Sequence, residues 1–409
     1  MVKLSLAEAP NATAESQNKT KWQEENNWLA VLVCVLCGIV SALQVVKVSI
    51  AAPFLIDNLS LNHTSIGSLG GVFSVMGMLG GIPIASIVLR TGLKHSLLLG
   101  MLFISVSSFI APLLPSLWLL YSLRMVEGLG FILITVAAPT LVQSHVRPDY
   151  KNMAMSFWSC FMPAGIAVMM FVGPLFSDWR TVWLVNALIA AIAFLLACRY
   201  VPASAQHLRL ITIKRLRALL RAVLAVPAAA QVTLIFSCYN LMYFAFYNFL
   251  PLLVVESLGL GHLHAGLITG FAAIANVGGN LLSGVLLSRG ISRLQIFFIS
   301  FATMAVMGGI IFAPEENPYW ITLAALFFAG TGGMLPTAVL SSAPLVAPIS
   351  FAIPITLGLY MQGSNLGQVL GPWVTGVGTD LFGWAVASPM FIVLGLLGLV
   401  LLFYRRLEL

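Results

Sequence analysis

Three charged side chains lie inside long apolar segments of the sequence: Lys47, Arg124 and Glu127. An ionised side chain at the depth of lipid hydrocarbon costs roughly 3 kcal/mol on insertion scales, so such residues usually face a polar cavity or one another. Side chains of these types can bind a charged small molecule or exchange a proton. The three charges are therefore the first candidates for a functional site.

Helical spacing gives each charge a polar or charged neighbour on the same face. Gln44 lies three residues before Lys47, and Glu127 lies three residues after Arg124. A rise of about 1.5 Å per residue places Lys47 and Arg124 about 15 and 12 Å from the same membrane face. We therefore expect the charges to lie at similar depth, with Gln44, Lys47 and Arg124 available to a substrate.

A second polar group follows helical spacing in a later apolar segment. Asn240, Tyr243 and Tyr247 fall at positions i, i+3 and i+7, and Asn276 lies in the segment after it. We expect these residues to converge with the charges on one substrate site. Helix packing and interhelical hydrogen bonds are the alternative interpretation of these four side chains.

The sum of the charges predicts the chemistry of the substrate. Two cations and one carboxylate leave a surplus positive charge, which favours a small organic or inorganic anion. An anion that enters a cell works against about 2.3 kcal/mol per 100 mV, which coupling to one proton removes. Glu127 is the only carboxylate within a predicted span and is the candidate proton carrier. Alternatively, Glu127 only neutralises Lys47 or Arg124 and holds the helices in register.

Composition identifies the elements that must position these residues. The chain has 409 residues, of which 60% are hydrophobic and 8% charged, whereas soluble domains contain roughly 25% charged residues. Apolar segments long enough to cross a bilayer recur along the chain. The sequence therefore predicts an all-α polytopic membrane protein with twelve transmembrane helices. The predicted spans are about 29–55, 66–88, 95–114, 117–142, 153–175, 181–200, 230–255, 265–287, 294–313, 319–341, 350–377 and 384–404.

Basic residues predict the orientation of these spans. Of the 20 Lys and Arg residues, seventeen fall on the side of the two termini, Arg180 falls on the other side, and Lys47 and Arg124 fall within spans. Positive residues accumulate on the cytoplasmic side, so both termini are expected in the cytoplasm, with the protein in a bacterial inner membrane. The formal charge of +7 is then explained by the basic residues that set the orientation in the membrane, and no nucleic-acid partner is expected.

A basic linker divides the chain into two similar halves. The predicted units are a cytoplasmic tail at 1–27, a six-helix bundle at 28–200, a cytoplasmic linker at 201–229, a second bundle at 230–404 and a tail at 405–409. Basic and apolar residues alternate at helical spacing over 209–221, which predicts an amphipathic helix on the membrane surface.

Landmarks in the two halves repeat at a nearly constant offset, which indicates an internal repeat. Gly92 corresponds to Gly290, and Gly173-Pro174 corresponds to Gly371-Pro372, both 198 residues later.

Twelve spans in two parallel repeats, together with Arg124-x-x-Glu127-Gly128-x-Gly130 in span four, resemble the major facilitator superfamily of secondary transporters. This resemblance implies two six-helix bundles related by pseudo-two-fold symmetry, with spans one, four, seven and ten lining a central cavity. Glu127 departs from the Gln that is usual in the family motif and adds an ionisable group. Within the superfamily, the chain resembles the cyanate-permease and nitroimidazole-transporter group and related organic-anion carriers in two features. One is the stretch from Tyr247 to Pro251, and the other is the absence of the Asp that the family has in the loop between spans two and three.

Two further family motifs give candidate gating residues. The loop motif between spans two and three is half present, with Arg90, Gly92 and Lys94 retained and Leu89 in place of the Asp that helps to latch the halves. A glycine-proline motif of antiporters is poor in span five and fits span eleven better, as Gly358, Gly367, Gly371 and Pro372. Because this motif has decayed in span five, a drug/proton antiporter is the second interpretation.

The leading hypothesis is proton-coupled uptake of a small anion by alternating access. The alternatives are proton-driven efflux of amphipathic drugs and a substrate sensor that binds without transport. No enzyme is expected, because the six histidines lie at or beyond span ends and no nucleophile pairs with a base. No cofactor or metal is expected. The expected partners are the solute, protons and membrane lipid, and the protein is expected to be a monomer.

Overall fold

A computed structural model of the chain describes residues 26–113, 116–202, 213–313, 317–349 and 352–404. Within these ranges every regular element is helical. The sixteen α-helices of the described ranges are α1 Trp28–Leu59, α2 His63–Val72, α3 Val75–Thr91, α4 Leu93–Ile110, α5 Leu117–Ser144, α6 Lys151–Ser159, α7 Phe161–Val172, α8 Trp179–Tyr200, α9 Ile213–Leu224, α10 Pro227–Glu256, α11 His262–Ser288, α12 Arg293–Ile311, α13 Pro318–Gly332, α14 Met334–Val346, α15 Ile353–Phe382 and α16 Ala387–Phe403.

The predicted all-α polytopic architecture is confirmed, with one difference in the continuity of the spans. Spans two, five and ten each consist of two helices, with breaks at Phe73 and Ser74, at Cys160 and at Gly333. Ten helical segments of the described residues are long and apolar enough to cross a membrane. The two predicted spans that are not among these ten are span two and span eleven, the second of which is α15 and contains the polar stretch 362–368.

One face of the molecule, called here the terminal face, holds the start of α1 and the end of α16. The N–H of Asn27 donates to the carbonyl of His145 at 2.9 Å, which joins the start of α1 to the end of α5. In the second half, Gln231 Nε2 donates to the carbonyl of Leu401 at 2.6 Å. The opposite face, called the far face, holds the ends of α1, α10 and α15.

The two halves of the chain pack together in the part of the molecule nearer the far face. Ser49 on α1 donates from Oγ to the backbone carbonyls of Tyr247 and Asn248 on α10. On α2, a Cβ added at Gly67 would lie 2.1 Å from the carbonyl oxygen of Pro372 on α15. Glycine at this position lets the backbones of the two halves approach closely.

The internal repeat has a counterpart in the backbone. Gly92, between α3 and α4, has φ 87°, and Gly290, between α11 and α12, has φ 86°. A positive φ of this size strains residues with a Cβ, so glycine is the suitable residue at both turns. Two positions 198 residues apart therefore share a positive φ that favours glycine, which is consistent with the repeat.

The linker contains a helix close to the predicted position. The prediction covered 209–221, the helix observed is α9, and residues 203–212 lie outside the described part of the chain. Leu219 and Val223 are buried against Ala229, Val346 and Ala352. This apolar side attaches the linker helix to the second half at the terminal face.

Candidate functional site

Lys47, Arg124 and Glu127 form one buried cluster, in agreement with their predicted depth. Glu127 Oε1 accepts hydrogen bonds from Lys47 Nζ and, at 2.8 Å, from Ser108 Oγ. Glu127 Oε2 accepts from Arg124 Nη1 at 2.8 Å. The side chains of the three charged residues are at most 1% exposed. A single buried carboxylate thus binds two buried cations.

Arg124 connects this cluster to the backbones of two other helices. Its Nη1 donates to the carbonyl of Gln44 on α1 at 2.7 Å, and its Nε donates to the carbonyl of Leu69 on α2 at 3.2 Å. The guanidinium lies 4.6 Å from the ring centroid of Phe73. A Cβ added at Gly128 would lie 1.8 Å from the carbonyl oxygen of Phe73, so this motif glycine permits the contact between α2 and α5.

Lys47 is held by polar and aromatic groups of spans three and six. Its Nζ donates to Ser108 Oγ at 2.9 Å and lies 4.7 Å from the ring centroid of Trp183. Such a position over an aromatic face stabilises a desolvated ammonium. Gln44 extends the network, since its Nε2 donates to Asn186 Oδ1 at 3.0 Å.

Sequence reasoning missed Ser108, Trp183 and Asn186 as members of the cluster. A signal existed for Asn186, because it is the one amide side chain inside the apolar span 181–200. Ser108 and Trp183 gave none, because serine and tryptophan are common in membrane helices without a polar partner.

The polar partners of the charge cluster all belong to the first half. They lie on α1, α2, α4, α5 and α8, and the hydrogen bonds of the described residues do not join the cluster to Asn240, Tyr243, Tyr247 or Asn276. The cluster carries a formal charge of +1 from two cations and one carboxylate. Arg124 Nη2 is buried without a hydrogen-bond partner in the described chain.

The tyrosines of α10 form a ladder of mutually tilted rings in the second half. The ring centroids of Tyr239 and Tyr243 are 5.4 Å apart, and those of Tyr243 and Tyr247 are 4.6 Å apart. Phe246 stacks on Phe328 of α13 at 4.5 Å. Tyr239 was missed from the sequence, although positions 239, 243 and 247 have the spacing of one helix face.

The two candidate asparagines make packing contacts. Asn240 donates to the carbonyl of Phe236 on its own helix at 2.7 Å, and a Cβ added at Gly367 of α15 would lie 2.9 Å from its Cβ. Asn276 on α11 donates to the carbonyl of Ala329 on α13 at 3.0 Å. Asn276 thus fits the alternative interpretation, in which an amide joins two helices, whereas the amide of Asn240 binds its own helix.

The candidate gating residues of span eleven divide into two groups. A Cβ at Gly367 would lie 2.3 Å from the carbonyl oxygen of Ser237, and one at Gly371 would lie 2.2 Å from that of Leu241. These glycines, four residues apart, let α15 pack closely on α10, while Pro372 contacts the first half as described above. A Cβ at Gly358 would meet nothing within 4 Å.

The loop candidates make a contact within the first half. Lys94 Nζ donates to the carbonyl of Cys198 at 3.1 Å and thereby joins α4 to the end of α8. Gly92 makes the positive-φ turn described above, and the side chain of Arg90 lies outside the described part of the structure. The retained loop basic residue thus stabilises its own bundle.

Comparison with known proteins gives matches to one family and one fold. The sequence model described as Major Facilitator Superfamily matches residues 34–353. The chain superimposes on the crystal structure of a D-xylose-proton symporter with a TM-score of 0.74 and 16% identity, covering 92% of this chain and 98% of that one. The crystal structure of a point mutant of the nucleoside transporter NupG gives a TM-score of 0.75 at 14% identity, covering 91% and 100%. At these identities the structures are informative about the fold alone.

Curated relatives match over part of the chain. The methyl viologen resistance protein SmvA of Salmonella typhimurium strain LT2 is 25% identical over 184 residues, which cover 44% of this chain and 37% of SmvA. The drug efflux pump JefA of Mycobacterium tuberculosis strain H37Rv is 34% identical over 111 residues, which cover 26% of this chain and 22% of JefA. In both cases the chain matches well under half the length of the relative.

Proposed function

Because the chain belongs to the Major Facilitator Superfamily of secondary transporters, we propose that it moves a small anion across the cytoplasmic membrane by proton-coupled uptake. The observation that carries this proposal is the surplus positive charge of a buried cluster in which Lys47 and Arg124 share the Glu127 carboxylate. The excess of basic residues on the terminal face supports a cytoplasmic location for that face in this proposal. Spans in two packed halves support alternating access as the mode of transport.

The net charge of the cluster stays the same when a proton and an anion bind together, which supports coupling to a proton. A proton on Glu127 neutralises the carboxylate and raises the charge of the cluster from +1 to +2. A monovalent anion bound beside Arg124 and Lys47 returns it to +1. Uncompensated buried charge is costly, so a proton and an anion stabilise each other in this site. Arg124 Nη2, which has no partner in the described chain, is the available donor for the anion.

A continuous set of contacts connects the cluster to the second half. Arg124 donates to the carbonyl of Leu69, and two residues away on the same helix Gly71 approaches α15, where an added Cβ would lie 2.6 Å from the carbonyl oxygen of Val369. Gly67 makes a similar contact with Pro372. Helix α2 therefore lies between the charged site and the other half. A change in how Arg124 binds α2 would act directly on the interface between halves.

Transport by purified protein in proteoliposomes tests this function. A panel of radiolabelled small organic and inorganic anions is tested for uptake with an inward proton gradient and for exchange without one. We expect Glu127→Gln to lose gradient-driven accumulation and to keep exchange, because the variant can no longer release and bind the proton. Gradient-driven accumulation that survives unchanged in Glu127→Gln would assign the residue a purely structural role in pairing Arg124 and Lys47.

Efflux of amphipathic cations is a second candidate function, favoured by the relatives and by the aromatic ladder. The two curated relatives are named for methyl viologen resistance and drug efflux. Tyr239, Tyr243 and Tyr247 supply buried aromatic rings of the type that bind organic cations. The surplus charge beside Arg124 disfavours a dication there. Increased tolerance to methyl viologen in cells that express the protein, without anion uptake in proteoliposomes, would establish efflux instead.

A further inference from the structure

The start of α2 is capped by a residue from the other half of the molecule. The backbone N–H of His63 donates to Asp380 Oδ1 at 2.9 Å, and the N–H of Thr64 donates to Asp380 Oδ2 at 2.8 Å. Asp380 lies on α15 in the second half. The first N–H groups of a helix have no partner within it and carry partial positive charge, so a carboxylate is their preferred ligand. One carboxylate therefore joins the halves at the far face.

The imidazole of the same residue lies between two carboxylates of the second half. His63 Nε2 is 3.2 Å from Glu256 Oε2, and Nδ1 is 3.7 Å from Asp380 Oδ1. Nδ1 makes no hydrogen bond to the described residues although it is buried. Trp384 Nε1 also donates to Glu256 Oε2, at 3.1 Å. A protonated ring can donate towards both carboxylates, whereas a neutral ring can donate to only one.

The groups around His63 define how this contact responds to pH. Glu256 on α10 and Asp380 on α15 are the titratable groups placed against it, and the other ring neighbours, Phe249 and Trp384, are uncharged. The hydrogen bond to Glu256 raises the pKa of His63 above its ordinary value, against the opposing effect of partial burial. Burial acts to raise the pKa of Asp380, but the hydrogen bonds from Thr64 and His63 outweigh it and lower that pKa.

We propose that His63, Asp380 and Glu256 form a proton-operated latch that holds the far face closed. The protonated imidazole binds both carboxylates of the second half and completes the cap of α2. Loss of the proton leaves Asp380 and Glu256 facing a neutral ring and removes the ionic attraction between the halves. The inference rests on the alternating access of the proposed function and is independent of which solute is carried.

The direction of the pH effect follows from the proton affinity of the closed state. Because closure raises the pKa of His63, the closed state binds the proton more tightly than the open state. Closure is therefore fully favoured below the ordinary pKa of histidine, and the preference is lost as pH rises through the raised value. In the proposed orientation, an acidic exterior closes the far face and directs the site towards the cytoplasm.

Distances between spin labels across the far face test the latch in the full-length protein in lipid nanodiscs. Labels are attached at Asn58→Cys and Leu381→Cys, which are exposed on opposite halves. Cys160 and Cys198, the native cysteines that are not buried, are replaced by Ser. Between about pH 5 and pH 8 we expect the ratio of closed to open populations to fall severalfold, because the closed state holds the proton of His63 more tightly.

Three variants separate the latch from other effects of pH. His63→Gln keeps the backbone donors to Asp380 and should lose the pH dependence. Asp380→Asn should shift the population towards open at every pH. His262→Gln is the matched control and should keep the pH dependence. This histidine also makes a contact between the halves, since its ring centroid lies 4.6 Å from that of Phe54.

Two outcomes would overturn the latch. One is a pH dependence in His63→Gln as large as in the labelled protein with its native latch residues. The other is a distance distribution of that labelled protein that stays constant over the whole pH range. The distances are measured without solute. A negative result therefore leaves anion transport intact, and a failure of anion transport leaves the distances unchanged.

Discussion

Arg124 on α5 donates a hydrogen bond of 3.2 Å to the backbone carbonyl of Leu69 on α2. This bond connects a buried charge to the helix that packs against the second half. A side chain that binds only other side chains could change partners without moving a backbone. Arg124 holds two backbone carbonyls and one carboxylate, so a change at Glu127 is felt by α1 and α2 together.

The unequal charges of the cluster predict unequal costs of substitution. Glu127→Gln leaves two buried cations without a carboxylate and should lower the free energy of unfolding on the order of 3 kcal/mol. Lys47→Met leaves the Arg124–Glu127 pair neutral and should cost clearly less. Unfolding midpoints of both variants in the same detergent check this order. Equal costs, or a larger cost for Lys47→Met, would contradict a charge of +1 in the cluster.

Anions should rescue the variant that has lost the carboxylate. Glu127→Gln carries the charge that the proposal gives to the protonated site, so a bound anion should stabilise it more than it stabilises the unmodified protein. A hundredfold excess of ligand over its dissociation constant adds about 2.7 kcal/mol to the stability of a folded protein. Thermal shift with the anion panel measures this, with Arg124→Ala as the non-binding control. A smaller shift in Glu127→Gln than in the unmodified protein would oppose the idea.

Gly128 should be intolerant of any side chain. An added Cβ would lie 1.8 Å from the carbonyl oxygen of Phe73, which is backbone and cannot rotate away. We expect Gly128→Ala to force α2 from α5 and to destabilise the protein by about 1–3 kcal/mol, the usual cost of overpacking. Gly278→Ala, where an added Cβ meets nothing within 4 Å, is the control. A Gly128→Ala protein as stable as this control would contradict the close approach of the two helices.

Close packing of α15 on α10 should be required for transport. Gly371→Ala would place a Cβ 2.2 Å from the carbonyl oxygen of Leu241, whereas Gly358→Ala enters open space on the same helix. We expect Gly371→Ala to reduce the initial transport rate at least tenfold, about 1.4 kcal/mol in activation free energy, with Gly358→Ala close to normal. Equal rates in the two variants would show that this contact does not limit the conformational change.

The depth of the charged residues could be predicted from sequence, but the direction in which they point could not. Counting residues from the span ends was enough to predict that Lys47 and Arg124 lie at one level. Residues 40–52 of α1 are buried without interruption, so hydrophobic periodicity cannot show which face meets which half. Lys47 faces the first half, and Ser49, two residues later, contacts Tyr247 in the second. The expected convergence of charges and tyrosines depended on that rotation.

Partners across helices were also beyond prediction from one sequence. Asp380 and His63 are 317 residues apart, and nothing in either local sequence specifies the other. Gly333, at the break in span ten, likewise lies where an added Cβ would be 2.2 Å from the carbonyl oxygen of Asn276, a contact that neither local sequence specifies. Composition could predict twelve spans, but not which helices meet at such close contacts.

The central claim is that an anion and a proton bind the charge cluster together. Its most direct test is the proton uptake of purified protein in weakly buffered detergent solution, followed with a pH indicator when an anion identified by the panel is added. We expect about one proton to be taken up per anion bound by the unmodified protein, and none by Glu127→Gln, which still binds the anion. Anion binding without proton uptake, or the same uptake in both proteins, would contradict the claim.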